Sequence, residues 1–165
     1  MGNGMVSGVC IGEANYTVIL VENVDPNKPQ KTFGLPGGVI EGEESPEEAL
    51  RREWTEEVGN EEEFGPLKGF IAAKITMHGQ RGTYTKYVNL VTDWGRKLRK
   101  TGVENEVGPP IRFPLNDVVS GKVKVFRGHL QPLLCVLKIL EEDPIIKDIA
   151  SKLEFRIEHG REMGF

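Results

Sequence analysis

Cysteine is scarce. Cys10 and Cys135 are the only two in 165 residues, and they lack CxxC or Cys/His spacing, so neither a disulfide framework nor a zinc site is expected. Positive charge is also in deficit. With 21 Lys and Arg against 25 Asp and Glu, the net charge of −4 argues against general affinity for nucleic-acid backbones. No apolar run is long enough to span a bilayer, so no membrane partner is expected. The amino terminus shows neither a basic leader nor a small-residue cleavage site, and Val6 stands where a myristoylation signal wants Ser or Thr. A cytoplasmic protein is the expectation. The one basic cluster, Arg96-Lys97-Leu98-Arg99-Lys100, reads as a solvated loop.

At this length, and with 38% apolar residues, the chain suits one soluble domain with a real core. Val6 to Ile11 and Tyr16 to Val24 read as a pair of strands, Lys68 to Thr76 and Thr83 to Val91 as two more, and Ile111 to Leu115 as a short fifth. Phe33-Gly34-Leu35-Pro36-Gly37-Gly38 reads as a tight loop and Thr92 to Pro110 as a long one. Ser45, Pro46 and Glu48 spell a capped helix start, with Gly59 at the other end. Leucines at helical spacing from His129 to Glu141 predict a second helix. Ile145 to Glu158 predicts a third, with Ile145, Ile149 and Leu153 on one side, packing on the domain or on a second copy as a homodimer. Strands interleaved with helices place the chain in the α/β class.

The helix after Ser45 is crowded with carboxylates. Glu53, Glu56 and Glu57 fall within roughly a 100° arc of its surface, while Leu50, Trp54 and Val58 form an adjoining apolar stripe that anchors it. Either the charge is spread into water or a cation bridges it. A trio of oxygen donors suits a hard divalent ion, and Mg²⁺ commonly shares its remaining positions with substrate phosphates.

Gly38, five residues, Glu44, seven residues, then Arg52-Glu53-Trp54-Thr55-Glu56-Glu57-Val58-Gly59 closely resembles the Nudix box, the signature of the Nudix hydrolases. Every charged and glycine position of that signature is filled, whereas Asn60 replaces the aliphatic final position and Trp54 is larger than the usual occupant. The resemblance implies a Nudix-like α/β/α sandwich around a mixed β-sheet. Residues 1–143 would form the hydrolase domain, and 144–165 a C-terminal helical extension of it.

By the same resemblance the chain would be a pyrophosphohydrolase. It would use Mg²⁺ or Mn²⁺ to cleave, by water attack, a small-molecule nucleoside diphosphate linked to another moiety. The substrate could be a nucleotide sugar, ADP-ribose, a dinucleoside polyphosphate or a nucleoside triphosphate. Glu53, Glu56 and Glu57 would be metal ligands, with a carbonyl at Gly37 or Gly38, and Arg52 would pair with Glu44 and orient Glu53. The general base would be Glu53 or a later-loop glutamate, Glu104 or Glu106, with Glu106 preferred.

For substrate contacts, Phe33, Tyr84 and Tyr87 could stack on a base, and Arg81 or Lys86 could meet a phosphate. His78, His129 and His159 read as surface or cap residues. The alternative is a non-catalytic nucleotide-binding module on the same fold, although such modules usually lose box glutamates and this chain keeps them all.

Overall fold

The computed structural model describes the chain except residues 1–3, 13, 25, 26, 28, 29, 65, 66, 81, 93, 95–97, 104, 105 and 161–165, and the side chains of 63 and 64. In order along the chain are β1 (Gly4–Gly12), β2 (Thr17–Asn23), β3 (Thr32–Gly34), β4 (Gly37–Val39), α1 (Pro46–Glu57), α2 (Glu61–Phe64), β5 (Lys68–Gly79), β6 (Gly82–Thr92), β7 (Ile111–Pro114), α3 (Leu115–Val119), α4 (Arg127–Ile139) and α5 (Pro144–Glu158). The strands form a mixed sheet in the order β3-β2-β1-β6-β5, with β4 also pairing β1 and β7 also pairing β2. Among the pairs of these described strands, β1–β6 alone is parallel. No helix among the described residues is long and apolar enough to cross a membrane.

Because side chains alternate across a strand, each central strand feeds two cores. Val6 and Cys10 of β1, Ile19 of β2 and Val91 of β6 face one way, against Ala49, Leu50, Trp54 and Val58 at α1. Val9, Val18, Leu20, Val88 and Leu90 face the other way, against α3, α4 and α5. The result is the expected α/β/α layering.

The bulky Trp54 fits because β1 carries Gly8 beneath it: a Cβ there would sit 2.5 Å from the indole ring. Trp54 also meets Trp94 edge to face at 6.0 Å between ring centres. Burying each of the stripe residues Leu50 and Val58 is worth about 1.5–3 kcal/mol, which offsets the cost of holding so many carboxylates on the same helix.

Several local expectations change. The Gly37-Gly38 segment is a short strand, β4, because Val6 and Ser7 of β1 pair with it. Leu115 opens α3 instead of ending the fifth strand, since β7 stops at Pro114. Within the long loop, Val107 bridges Asn23 and Val103. On α5 the buried residues are Ile146, Ile149, Ala150 and Leu153, packed in the same core as α4, while Ile145 is exposed. The basic cluster is not simply solvated: the backbone N–H of Arg99 donates to Val58 O and its guanidinium to Thr55 O and Glu56 O, capping the carboxyl end of α1. Arg96 and Lys97 lie outside the described residues.

Candidate active site

Helix α1 begins as its sequence predicts. Ser45 Oγ accepts from the Glu48 N–H at 3.1 Å, Glu48 accepts from the Ser45 N–H at 2.9 Å, and Pro46 occupies the first turn. This capping fixes where the helix starts, and hence which residues turn toward β4. Glu47, Glu48 and Arg51 face solvent; Trp54 and Glu57 turn inward.

Arg52 ties the loop before α1 to the helix. Its Nη2 and Nε donate to the two Glu44 carboxylate oxygens at 2.7 and 3.2 Å, and Nη2 also donates to Val39 O at 3.0 Å. Glu44 Oε1 in turn accepts from the Glu41 N–H at 2.8 Å, closing the loop on itself. The two-pronged hydrogen bond to Glu44 raises the Arg52 pKa and in return holds the Glu44 carboxyl below its ordinary value. A third contact, Nη1 to Glu53 Oε1 at 2.9 Å, aims Glu53 toward β4. There a Cβ on residue 38 would lie 2.2 Å from Glu53 Oε1, so the glycine is what lets the carboxylate approach the backbone.

Glu57 reaches the same strand from one turn further on. Its Oε2 accepts from the Gly37 N–H at 3.1 Å, and the residue is 7% exposed. Gly37 is irreplaceable there for a steric reason: its φ is +154° and a Cβ would lie 1.9 Å from Val6 O. Burial pushes the Glu57 carboxyl up to about 8, against the Gly37 hydrogen bond, with Glu53, Glu56 and Glu106 adding repulsion. Burial likewise raises the Glu53 carboxyl, opposed by Arg52.

Among the described residues no three Asp, Glu, His or Cys side chains converge on one point as metal ligands do. Arg52 draws Glu53 and, at 3.9 Å, Glu56, while Gly37 holds Glu57. The chemistry of the donor set nonetheless fits a hard divalent ion. All the donors are oxygens, and Glu57 is a buried acid with no cationic partner among the described residues, repelled by its neighbours.

Beside these groups lies a cavity of about 220 Å³, lined by Gly37, Gly38 and Glu57 together with Lys86, Phe126 and His129. A larger cleft of about 570 Å³, lined by Cys10, Trp94 and Arg112, lies toward the far end of β1 and touches none of the box residues.

Glu106 comes close enough to Glu57 to raise its pKa and is anchored by its backbone, N–H to Val103 O and carbonyl to the Val24 N–H. Arg81 and Glu104 lie outside the described residues. Phe33 does not line the cavity: it packs edge to face on Phe113 at 4.8 Å in the core. Tyr84 is likewise absent from the lining, and Tyr87 faces the α1 side with Lys74 over its ring.

His129 is not a surface or cap residue. Its Nδ1 accepts from the Leu35 N–H at 3.2 Å and its ring lines the cavity. No sequence signal marks it, because its partner lies on a distant strand connection.

A NUDIX-domain family model matches residues 3–133. None of the curated proteins matches the chain. Among solved structures, the NUDIX domain of Shewanella oneidensis NrtR, complexed with ADP ribose, is similar at 20% identity with a TM-score of 0.66, covering 83% of this chain and 87% of that one. A MutT NUDIX hydrolase from Burkholderia pseudomallei is similar at 15% identity with a TM-score of 0.61, covering 79% and 95%. A structure described as an ADP compounds hydrolase is similar at 19% identity with a TM-score of 0.62, covering 84% and 73%.

Proposed function

The chain belongs to the NUDIX hydrolase family, and from that premise we propose that it hydrolyses the pyrophosphate bond of a nucleoside diphosphate linked to another moiety, with water as the nucleophile. The observation that carries this reading is Glu57, a buried carboxyl at a cavity wall, repelled by Glu53, Glu56 and Glu106 and lacking any cation among the described residues. A solvated acidic face would show no such buried member.

Glu53, Glu56 and Glu57, with the carbonyl of Gly37 or Gly38, would hold Mg²⁺ or Mn²⁺. When bound, such an ion supplies neutralisation of phosphate charge and promotes ionisation of the attacking water, worth several kcal/mol at the transition state. The chain's own residues do the rest. Arg52, fixed by Glu44 and Val39 O, keeps Glu53 in place. Glu106 takes the proton of the attacking water, with Glu53 as the alternative base. A new P–O bond forms as the bridging P–O bond breaks, and two phosphate-bearing products leave.

Release of nucleoside monophosphate from ADP-ribose, nucleotide sugars, dinucleoside polyphosphates and nucleoside triphosphates, measured with Mg²⁺ or Mn²⁺ and with chelator, tests this directly. Chelator-sensitive cleavage of one class is expected. Glu53→Gln and Glu57→Gln should each lower the rate by orders of magnitude, and near-normal turnover in both would sink the reading.

A further inference from the structure

Lys86 is 4% exposed and finds no hydrogen-bond or ion-pair partner among the described residues. An unpaired ammonium in such a place costs free energy, which burial expresses as a pKa held down to about 8 and which a ligand bearing an acceptor can return. On β6 it stands two residues before Val88 and four before Leu90, so it shares their face and points toward α4. There it lines the cavity together with His129.

The Lys86 charge acts on its neighbour: it helps burial hold the His129 ring down to about 3, so the imidazole is neutral. Since Nδ1 accepts from Leu35, the ring proton sits on Nε2, which has no acceptor among the described residues. This part of the cavity therefore offers two donors and no charge to match them.

Its position decides what the donors are for. Lys86 stands on the face of β6 that packs against α4, whereas Glu53, Glu56 and Glu57 come from α1, which packs on the opposite face of the sheet. Lys86 thus enters the cavity from the face opposite the carboxylates and the phosphates they would serve. The walls between are largely apolar, with Val21, Leu35 and Val107 beside the Phe126 ring. A phosphate would be under-served by two donors and apolar walls, whereas a planar base has apolar faces to stack and a polar edge to read.

We propose that Lys86 and His129 read the base of the substrate, admitting guanine, hypoxanthine and uracil, which offer a carbonyl oxygen, over adenine and cytosine, which turn an amino group there. The physical reason is that both side chains only donate. A carbonyl oxygen, or the paired O6 and N7 acceptors of guanine, satisfies them, but an exocyclic amine leaves an ammonium facing another donor. The selection rests on the hydrolase reading only in placing the phosphates at the glutamates.

Binding of inosine, guanosine and uridine 5′-monophosphates, compared with adenosine and cytidine 5′-monophosphates, by calorimetry on the full chain with chelator present, tests the proposal without hydrolysis. The keto nucleotides should bind about tenfold or more tightly than their amino counterparts. Lys86→Met, which keeps the length of the side chain and removes the charge, should bring the inosine-to-adenosine ratio to within about twofold. Lys86→Gln serves the same purpose if the methionine variant fails to fold.

Equal affinities in the wild type, no measurable binding of any monophosphate, or an unchanged ratio in both variants would overturn the proposal. So would inorganic phosphate losing affinity in Lys86→Met as much as inosine monophosphate does, since the lysine would then be a phosphate ligand. Failure of the hydrolase reading looks different: no substrate would be cleaved, while the base preference in binding would persist.

Discussion

Glu57 accepts a hydrogen bond from the Gly37 N–H at 3.1 Å while remaining buried and without a cation among the described residues. One hydrogen bond does not compensate its burial, because the carboxyl is pushed up to about 8. Both the proposed metal chemistry and a pH signature follow from this one contact.

Folded Glu57 keeps its proton to about 8, whereas the unfolded chain releases it near 4.5. Its stabilising contribution is complete below 4.5 and is lost as pH rises through 8. His129 has the opposite sign, held down to about 3 from 6.5, and so adds stability as pH rises through that range. Lys86, held down to about 8 by burial, adds stability only above that value. Between about pH 6.5 and 8, then, Glu57 governs the slope, and the metal-free protein should lose about 1–2 kcal/mol. Mg²⁺ should raise the melting temperature more at pH 8 than at pH 6.5. A flat metal-free profile across this window would remove the argument.

Arg52→Lys keeps the charge but cannot hold both Glu44 oxygens and Val39 O in one planar fork. Turnover should fall by about 10–100-fold, as for other groups that orient metal ligands. Thermal stability should change little by comparison, and combining it with Glu44→Gln should cost less than the sum of the two, because both break one frame. Additive losses in kcat would show that the two residues act separately.

Gly38→Ala would put a methyl group 2.2 Å from Glu53 Oε1. The carboxylate must then move, so the melting-temperature gain from saturating Mg²⁺ should shrink sharply while the metal-free midpoint shifts only slightly. Equal Mg²⁺ gains in variant and wild type would show that Glu53 has no part in holding the ion.

Trp54→Ala would leave a void between Gly8 and Trp94 at the seat of α1. A loss of about 3–5 kcal/mol is expected in chemical denaturation. A loss below about 1 kcal/mol would mean that the helix is seated by other contacts.

The features legible in the sequence are the local ones. Ser45, Pro46 and Glu48 specify the start of α1 within four neighbouring positions, and the carboxylate spacing lies on that one helix. Strands β3 and β4 are only three residues long each and exist because β2 and β1 pair with them, which no local pattern announces. Lys86 carries no outward sign of burial: in an alternating strand a lysine reads as solvent-facing, and only the packing of α4 across β6 encloses it. His129 is hidden for the same reason, its role depending on a backbone N–H from the segment before β4. Phe33, an attractive stacking residue by type, is claimed by Phe113.

Binding of Mn²⁺ to the full chain, followed by electron paramagnetic resonance of the free ion in wild type and in Glu57→Gln, distinguishes a metal-holding Glu57 from a merely buried acid. One site in the wild type, weakened about tenfold or more by the substitution, is the predicted result. Equal Mn²⁺ affinity in the two proteins would contradict the assignment of Glu57 and its neighbours as the metal-holding carboxylates.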